Sequence, residues 1–124
     1  MKKVAILRCL KTSAACAGTG CLRAFNEKSE GFAVYGDEPL QLAAMWTCNG
    51  CAPDALENQA GIQKKIDRMV KNSIEIVHLS HCTIKDEVRC PVIMSIARQL
   101  AAKGVMIADG THGSKATGEI ITDF

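Results

Sequence analysis

Cysteines stand at positions 9, 16, 21, 48, 51, 82 and 90, with histidines at 78, 81 and 112. Cys48-Asn-Gly-Cys51 is a Cys-x-x-Cys spacing, which lets two thiolates grip one metal ion or close a tight disulfide. Gly50 permits the sharp turn this needs. His78-Leu-Ser-His81-Cys82 gathers two imidazoles and a thiol within five residues. A lone His78 would more often be a hydrogen-bonded core histidine than a ligand; the thiol beside it favours a cluster. Cys16 and Cys21 flank Ala17-Gly18-Thr19-Gly20, a glycine loop able to wrap a site or turn backbone N–H groups toward an anion. The loop matches neither the Walker nor the Rossmann glycine pattern. Cys90-Pro91 opens a helix, where the N-terminus favours a thiolate. Its plain structural alternative is a small buried apolar residue. His112 lies in Gly110-Thr-His-Gly113, a rim loop with little packing to do.

The compartment decides how such cysteines are read. The apolar run Val4–Leu7 is broken by Arg8, too short for a signal h-region of about 7–15 residues. No stretch reaches the roughly 18 apolar residues of a membrane span. The chain is therefore expected in the cytoplasm, where thiols stay reduced. Seven thiols cannot all pair within one chain. Metal binding or thiol chemistry outranks a disulfide framework.

Four apolar, branched segments read as buried strands: 4–7, 40–46, 74–77 and 105–108. Between them lie helical patterns. Ile62, Ile66, Met69 and Val70 form one stripe, with Asp54 or Asn58 as cap and Asn72 as the stop. Val92, Ile93, Ile96, Ala97, Leu100 and Ala101 form another, opened by Pro91 and closed by Gly104. A shorter helix covers 21–28, with Leu22 and Phe25 inward. The tail 113–124 offers only Ile120-Ile121 as an edge strand. Alternating strands and helices imply parallel strands with right-handed crossovers. The expectation is a single α/β domain over 1–124: a three-layer sandwich with a mostly parallel four- or five-stranded sheet. Its connectivity is flavodoxin-like or Rossmann-like, with the first strand between the second and third.

That topology gathers the donors. In a parallel sheet all carboxyl ends share one edge, where open α/β folds bind ligands. Cys9 follows the first strand, Cys48 and Cys51 the second, His78, His81 and Cys82 the third, His112 the fourth. The sulfurs of Cys9, Cys48, Cys51 and Cys82 should cluster there, with His78 and His112 approaching.

Cys9, Cys16-Ala-Gly-Thr-Gly-Cys21, Phe25, Gly31-Phe-Ala33, Tyr35, Cys48-Asn-Gly-Cys51, His78-Leu-Ser-His-Cys82, Cys90-Pro91 and Gly110-Thr-His112 together resemble the CGGC-domain family. The resemblance runs in order from residue 4 to about residue 112. It implies a metal-binding domain of prokaryotes, with zinc the expected ion; it implies no known reaction. Two positions depart from the pattern. Asn49 stands where the family has Gly, a change that left-handed turns tolerate. Ala17 stands where the first loop usually has Pro, which leaves the loop less stiff but keeps both thiols.

Zinc takes four Cys or His ligands. The candidates Cys9, Cys16, Cys21, Cys48, Cys51, His78, His81, Cys82, Cys90 and His112 exceed what one ion needs. One zinc with spare thiols, two sites, or an iron–sulfur cluster on four thiolates all follow. The mixed Cys/His character favours zinc. The alternative is a dithiol redox enzyme using Cys48 and Cys51, with Cys9 or Cys82 resolving. No catalytic set is legible; Asp109 is expected to orient an imidazole. The net charge of +2, without a basic block longer than two residues, argues against nucleic acid or an anionic membrane as partner.

Overall fold

The structure is a computed structural model that describes residues 1–51 and 59–124. In chain order the elements are β1 (Lys2–Arg8), the single turn α1 (Leu10–Ser13), α2 (Thr19–Glu27), a 3-10 helix (Glu30–Tyr35), β2 (Leu40–Thr47), α3 (Gln59–Lys71), β3 (Ile76–Leu79), a 3-10 turn (His81–Thr83), β4 (Ile84–Lys85), β5 (Val88–Arg89), α4 (Pro91–Ala102) and β6 (Met106–Asp109). β1, β2, β3 and β6 form one parallel sheet in the order β2-β1-β3-β6. The first strand lies between the second and third, as the sequence pattern predicts.

β1 is central because Val4–Leu7 is apolar on both faces, and all four residues are fully buried. Ala5 and Leu7 pack with the stripes of α3 and α4, among them Ile66, Ile93 and Leu100. Val4 and Ile6 face the other way, toward a layer built from α2 and the 3-10 helix through Ala24, Phe25, Phe32 and Tyr35. Helical layers thus cover both faces of the sheet. Fully burying one such Leu or Ile contributes about 1.5–3 kcal/mol, so a few contacts hold each layer.

Several local expectations shift. β3 starts two residues later than the apolar run, because Ser73 takes a left-handed φ of +59° and Ile74 still bonds the end of α3. Asn72 does end α3: its side-chain amide caps the Arg68 carbonyl at 2.8 Å. The cap expected from Asp54 or Asn58 lies outside the described residues. Val70 is largely exposed, so the α3 stripe is Ile62, Ile66 and Met69. In α2 the buried residues are Cys21 and Ala24, with Phe25 beside them, and Leu22 is only half-buried. The tail forms one antiparallel bridge, Ala108 to Ile120, on the β6 edge. An unforeseen antiparallel hairpin, β4–β5, turns at Asp86 and Glu87, both at positive φ.

The register sets the rim. Arg8 pairs with Thr47, Leu7 with Leu79 and Leu79 with Asp109. The four strands end nearly level, so Cys9, Cys48, Ser80 and Gly110 leave the sheet side by side.

Candidate functional site: a thiol-lined pocket

A cavity of about 600 Å³ opens at this rim. Cys9, Cys16, Cys51, Cys82, Cys90, His81 and His112 line it, together with Lys11, Thr12, Thr83, Ile84 and Lys85. Seven of the ten candidate donors therefore face one space, drawn from four chain segments. A neighbouring cavity of about 400 Å³ shares His81 and Ile84 and is otherwise walled by Asp86, Glu87, Asp109 and Lys115 with two small residues.

The turn after β1 organises the sulfurs. The Cys9 N–H donates to Cys82 Sγ at 3.3 Å, and the next N–H, of Leu10, donates to Cys48 Sγ at 3.5 Å. Two successive amides thus tie down thiols from β3 and β2. Ser80 Oγ lies 2.8 Å from Cys82 Sγ on the other side. Cys48 is buried and Cys51 exposed. Gly50 between them takes a φ of +103°, the turn that the Cys-x-x-Cys spacing needs. Asn49 does not use a left-handed backbone. Its side chain accepts from Lys65 Nζ at 2.6 Å, and it lies where a Cβ on Gly61 would intrude at 2.8 Å. Burial pushes the Lys65 ammonium down, while the nearby Cys48 sulfur pulls the other way.

The thiols differ in how readily they ionise. Burial pushes Cys9 up, but hydrogen bonds from the Thr12 N–H and hydroxyl, and the N–H and charge of Lys11, leave it below its ordinary value. Cys16 is also lowered, first by the Gly18 N–H and then by the Arg8 guanidinium, which bonds the Cys16 carbonyl at 2.6 Å. The glycine loop thus turns its Gly18 N–H toward the chain's own Cys16 sulfur. Burial pushes Cys21 up. Cys90 is the N-cap residue of α4 and packs against the core while lining the pocket.

Three placements correct the sequence reading. His78 does not reach the rim. It lies inside β3, fully buried, with Nδ1 2.8 Å from the Gly110 carbonyl and Nε2 2.6 Å from the Tyr35 hydroxyl. Its ring lies against Phe32, centroids 4.3 Å apart. Both nitrogens are taken, and burial pushes its pKa down to about 4. Asp109 holds no imidazole; its carboxylate pairs with Arg89 and accepts from the Thr117 hydroxyl at 2.7 Å. His112 is packed, not loose: its ring lies on Gly20, and Nδ1 is 3.5 Å from Cys21 Sγ. Lys11 and Lys85 were missed as pocket residues; lysines near thiols in sequence carry no distinctive spacing.

The donor set is soft sulfur with imidazole at its margin, the chemistry of zinc or iron–sulfur sites. Among the described residues, no three Cys, His, Asp or Glu side chains already converge as a ligand group. Cys9, Cys16, Cys51, Cys82 and Cys90 share the cavity; Cys48 is buried beside it, its sulfur held by the Leu10 N–H, and Cys21 does not line it.

These features define an α/β protein with a cysteine-rich pocket at the carboxyl edge of a parallel sheet. The CGGC domain model matches residues 3–112, most of the chain, and the protein belongs to that family. No curated protein and no solved structure matches it. Among the described residues, no helix is long and apolar enough to cross a membrane.

Proposed function

We propose that the pocket binds a zinc ion through the thiolates of Cys9, Cys48, Cys51 and Cys82. One observation carries this reading: successive amides of the β1 turn hold the Cys82 and Cys48 sulfurs on either side of Cys9, while Cys51 opens into the same cavity as Cys9 and Cys82. Bound there, zinc supplies a fixed dication that crosslinks three strand ends. Lys11 and Lys85, in the pocket wall, offset the negative charge that four thiolates leave on such a centre. The N–H groups of Cys9 and Leu10 would keep donating to the Cys82 and Cys48 sulfurs once these are metal-bound. Metal binding would displace thiol protons.

A competition titration of the reduced, metal-free protein with zinc tests this. Binding should follow one ion per chain, release protons, and weaken as pH falls below neutral. Tight binding that survives alkylation of every accessible thiol would refute the thiolate assignment.

A further inference from the structure

The thiolate site leaves a polar triangle unused, with two of its corners buried and the third, His112, half-buried. Cys21 Sγ lies 3.1 Å from Thr111 Oγ1 and 3.5 Å from His112 Nδ1, and Thr111 Oγ1 lies 3.5 Å from the same nitrogen. Cys21 is 2% exposed and Thr111 0%. A thiol and a hydroxyl each bring one proton that needs an acceptor, and a buried donor left unmet is costly. If Nδ1 carries a lone pair, both protons are placed. The hydroxyl donates to sulfur and the thiol to Nδ1, or the thiol donates to the hydroxyl and the hydroxyl to Nδ1. The first route uses two contacts that involve sulfur, whose larger radius suits their lengths. If Nδ1 carries its own proton, three donors share three atoms and Nδ1 accepts nothing in the ring plane, so one donor is unmet. Burial favours the neutral thiol at Cys21, as the count requires.

The ring is also seated. A Cβ on Gly20 would come within 2.9–3.1 Å of Cδ2, Nε2 and Cγ of His112. Three atoms of one ring face thus rest on the first turn of α2. The loop that carries the ring is pinned by Gly31 N–H to the Thr111 carbonyl at 2.9 Å and by the Gly113 N–H to the Glu30 carboxylate. The ring itself lines the thiol pocket.

We infer that His112 is locked as the tautomer with its proton on Nε2, which leaves an N–H on a ring that lines the thiol pocket and makes it a candidate donor to a sulfur there, and that Cys21 and Thr111 are its positioning pair and not metal ligands. The donor's target rests on the thiolate reading of the pocket; the tautomer does not. An N–H offered to a metal-bound sulfur withdraws electron density from it without taking a coordination position.

Long-range proton–nitrogen correlation spectra of the reduced, metal-free full chain test the tautomer, with His112 assigned through His112→Gln. The expected result is Nε2 protonated and Nδ1 unprotonated at neutral pH, retained in Cys21→Ser, which keeps the proton. A proton on Nδ1 in the wild type overturns the inference. Cadmium-113 spectra of the cadmium-loaded chain form the second arm. An all-sulfur shift, the same region in wild type and His112→Gln, is expected. A mixed sulfur–nitrogen shift that moves to all-sulfur in His112→Gln, or loss of one bound sulfur in Cys21→Ser, overturns it. Failure to bind cadmium would overturn the thiolate reading and the donor's target, while the nitrogen spectra still decide the tautomer.

Discussion

The Cys9 amide donates to the sulfur of Cys82, 3.3 Å away, and so joins the ends of β1 and β3 across the rim of the sheet. The residues are 73 positions apart in sequence. Their contact follows from the register, since Leu7 and Leu79 are direct partners in the ladder and each strand stops within two residues of that pair. The pocket is thus a product of level strand ends, and each consequence below tests a part of it.

The thiols should react in an order set by their surroundings. Cys16 and Cys9 are lowered and open to the pocket, while burial raises Cys21. The thiolate is the reactive form, so alkylation at Cys16 and Cys9 should persist to lower pH than at Cys21. Mass spectrometry of the reduced protein after brief iodoacetamide treatment, repeated across pH, reads this directly. Cys21 labelled first would contradict it.

His78 should make stability fall in mild acid. Its folded pKa of about 4 lies below the usual 6.5 because the ring is buried against Phe32 and Tyr35, which outweighs the opposing pull of its hydrogen bond to the Gly110 carbonyl. The unfolded chain then binds a proton that the folded chain does not, so stability is complete above pH 6.5 and is lost as pH falls toward 4. The loss is about 3 kcal/mol at most. Urea unfolding between pH 7 and 4 should show that slope in the wild type and lose it in His78→Asn, which is less stable throughout.

Gly31→Ala should destabilise the chain by about 1–3 kcal/mol. A Cβ there would lie 2.5 Å from the Gly110 carbonyl oxygen and 2.9 Å from that of Thr111, backbone atoms that cannot swing aside. The same clash displaces the loop bearing His112. Gly36→Ala is the control for lost space, because nothing lies within 4 Å of a Cβ at Gly36, although its positive φ adds strain. Equal and negligible losses in the two variants would contradict the close approach.

The sheet was legible because Val4–Leu7 is an unbroken apolar run and the other strands are short and mostly apolar, and alternation of such strands with helices implies parallel order through right-handed crossovers. The rim followed from the same order. The core reading of His78 was open in the sequence, but Cys82 nearby favoured the cluster; its partners, Tyr35 for Nε2 and the Gly110 carbonyl for Nδ1, lie 43 and 32 positions away, beyond the reach of local pattern. The β4–β5 hairpin escaped notice because Asp86-Glu87 lacks the glycine or asparagine that usually marks such a turn. Gly20 read as part of a glycine loop able to wrap a site or an anion, whereas the His112 ring rests on it. That role depends on a partner distant in sequence, so local pattern could not reveal it.

Cys9→Ser and Cys82→Ser should each weaken zinc binding by more than about 100-fold, since loss of a ligand exceeds the 10–100-fold typical of its outer partners. The fold should survive, because Leu7, Leu79 and their neighbours are packed without the metal. Far-UV circular dichroism and zinc competition on the same samples check both statements. Unchanged affinity in Cys82→Ser would remove β3 from the site.

Metal analysis of protein purified without oxygen tests the central claim most directly, with wild type, Cys48→Ser and Cys51→Ser measured side by side. The account predicts about one zinc per wild-type chain, little iron or labile sulfide, and most of the zinc missing from both variants. Iron with equimolar sulfide would replace zinc by a cluster on the same thiolates. Equal metal content in all three proteins, or a metal-free wild type showing a reversible two-electron thiol–disulfide couple, would contradict the account and leave Cys48 and Cys51 as a redox pair.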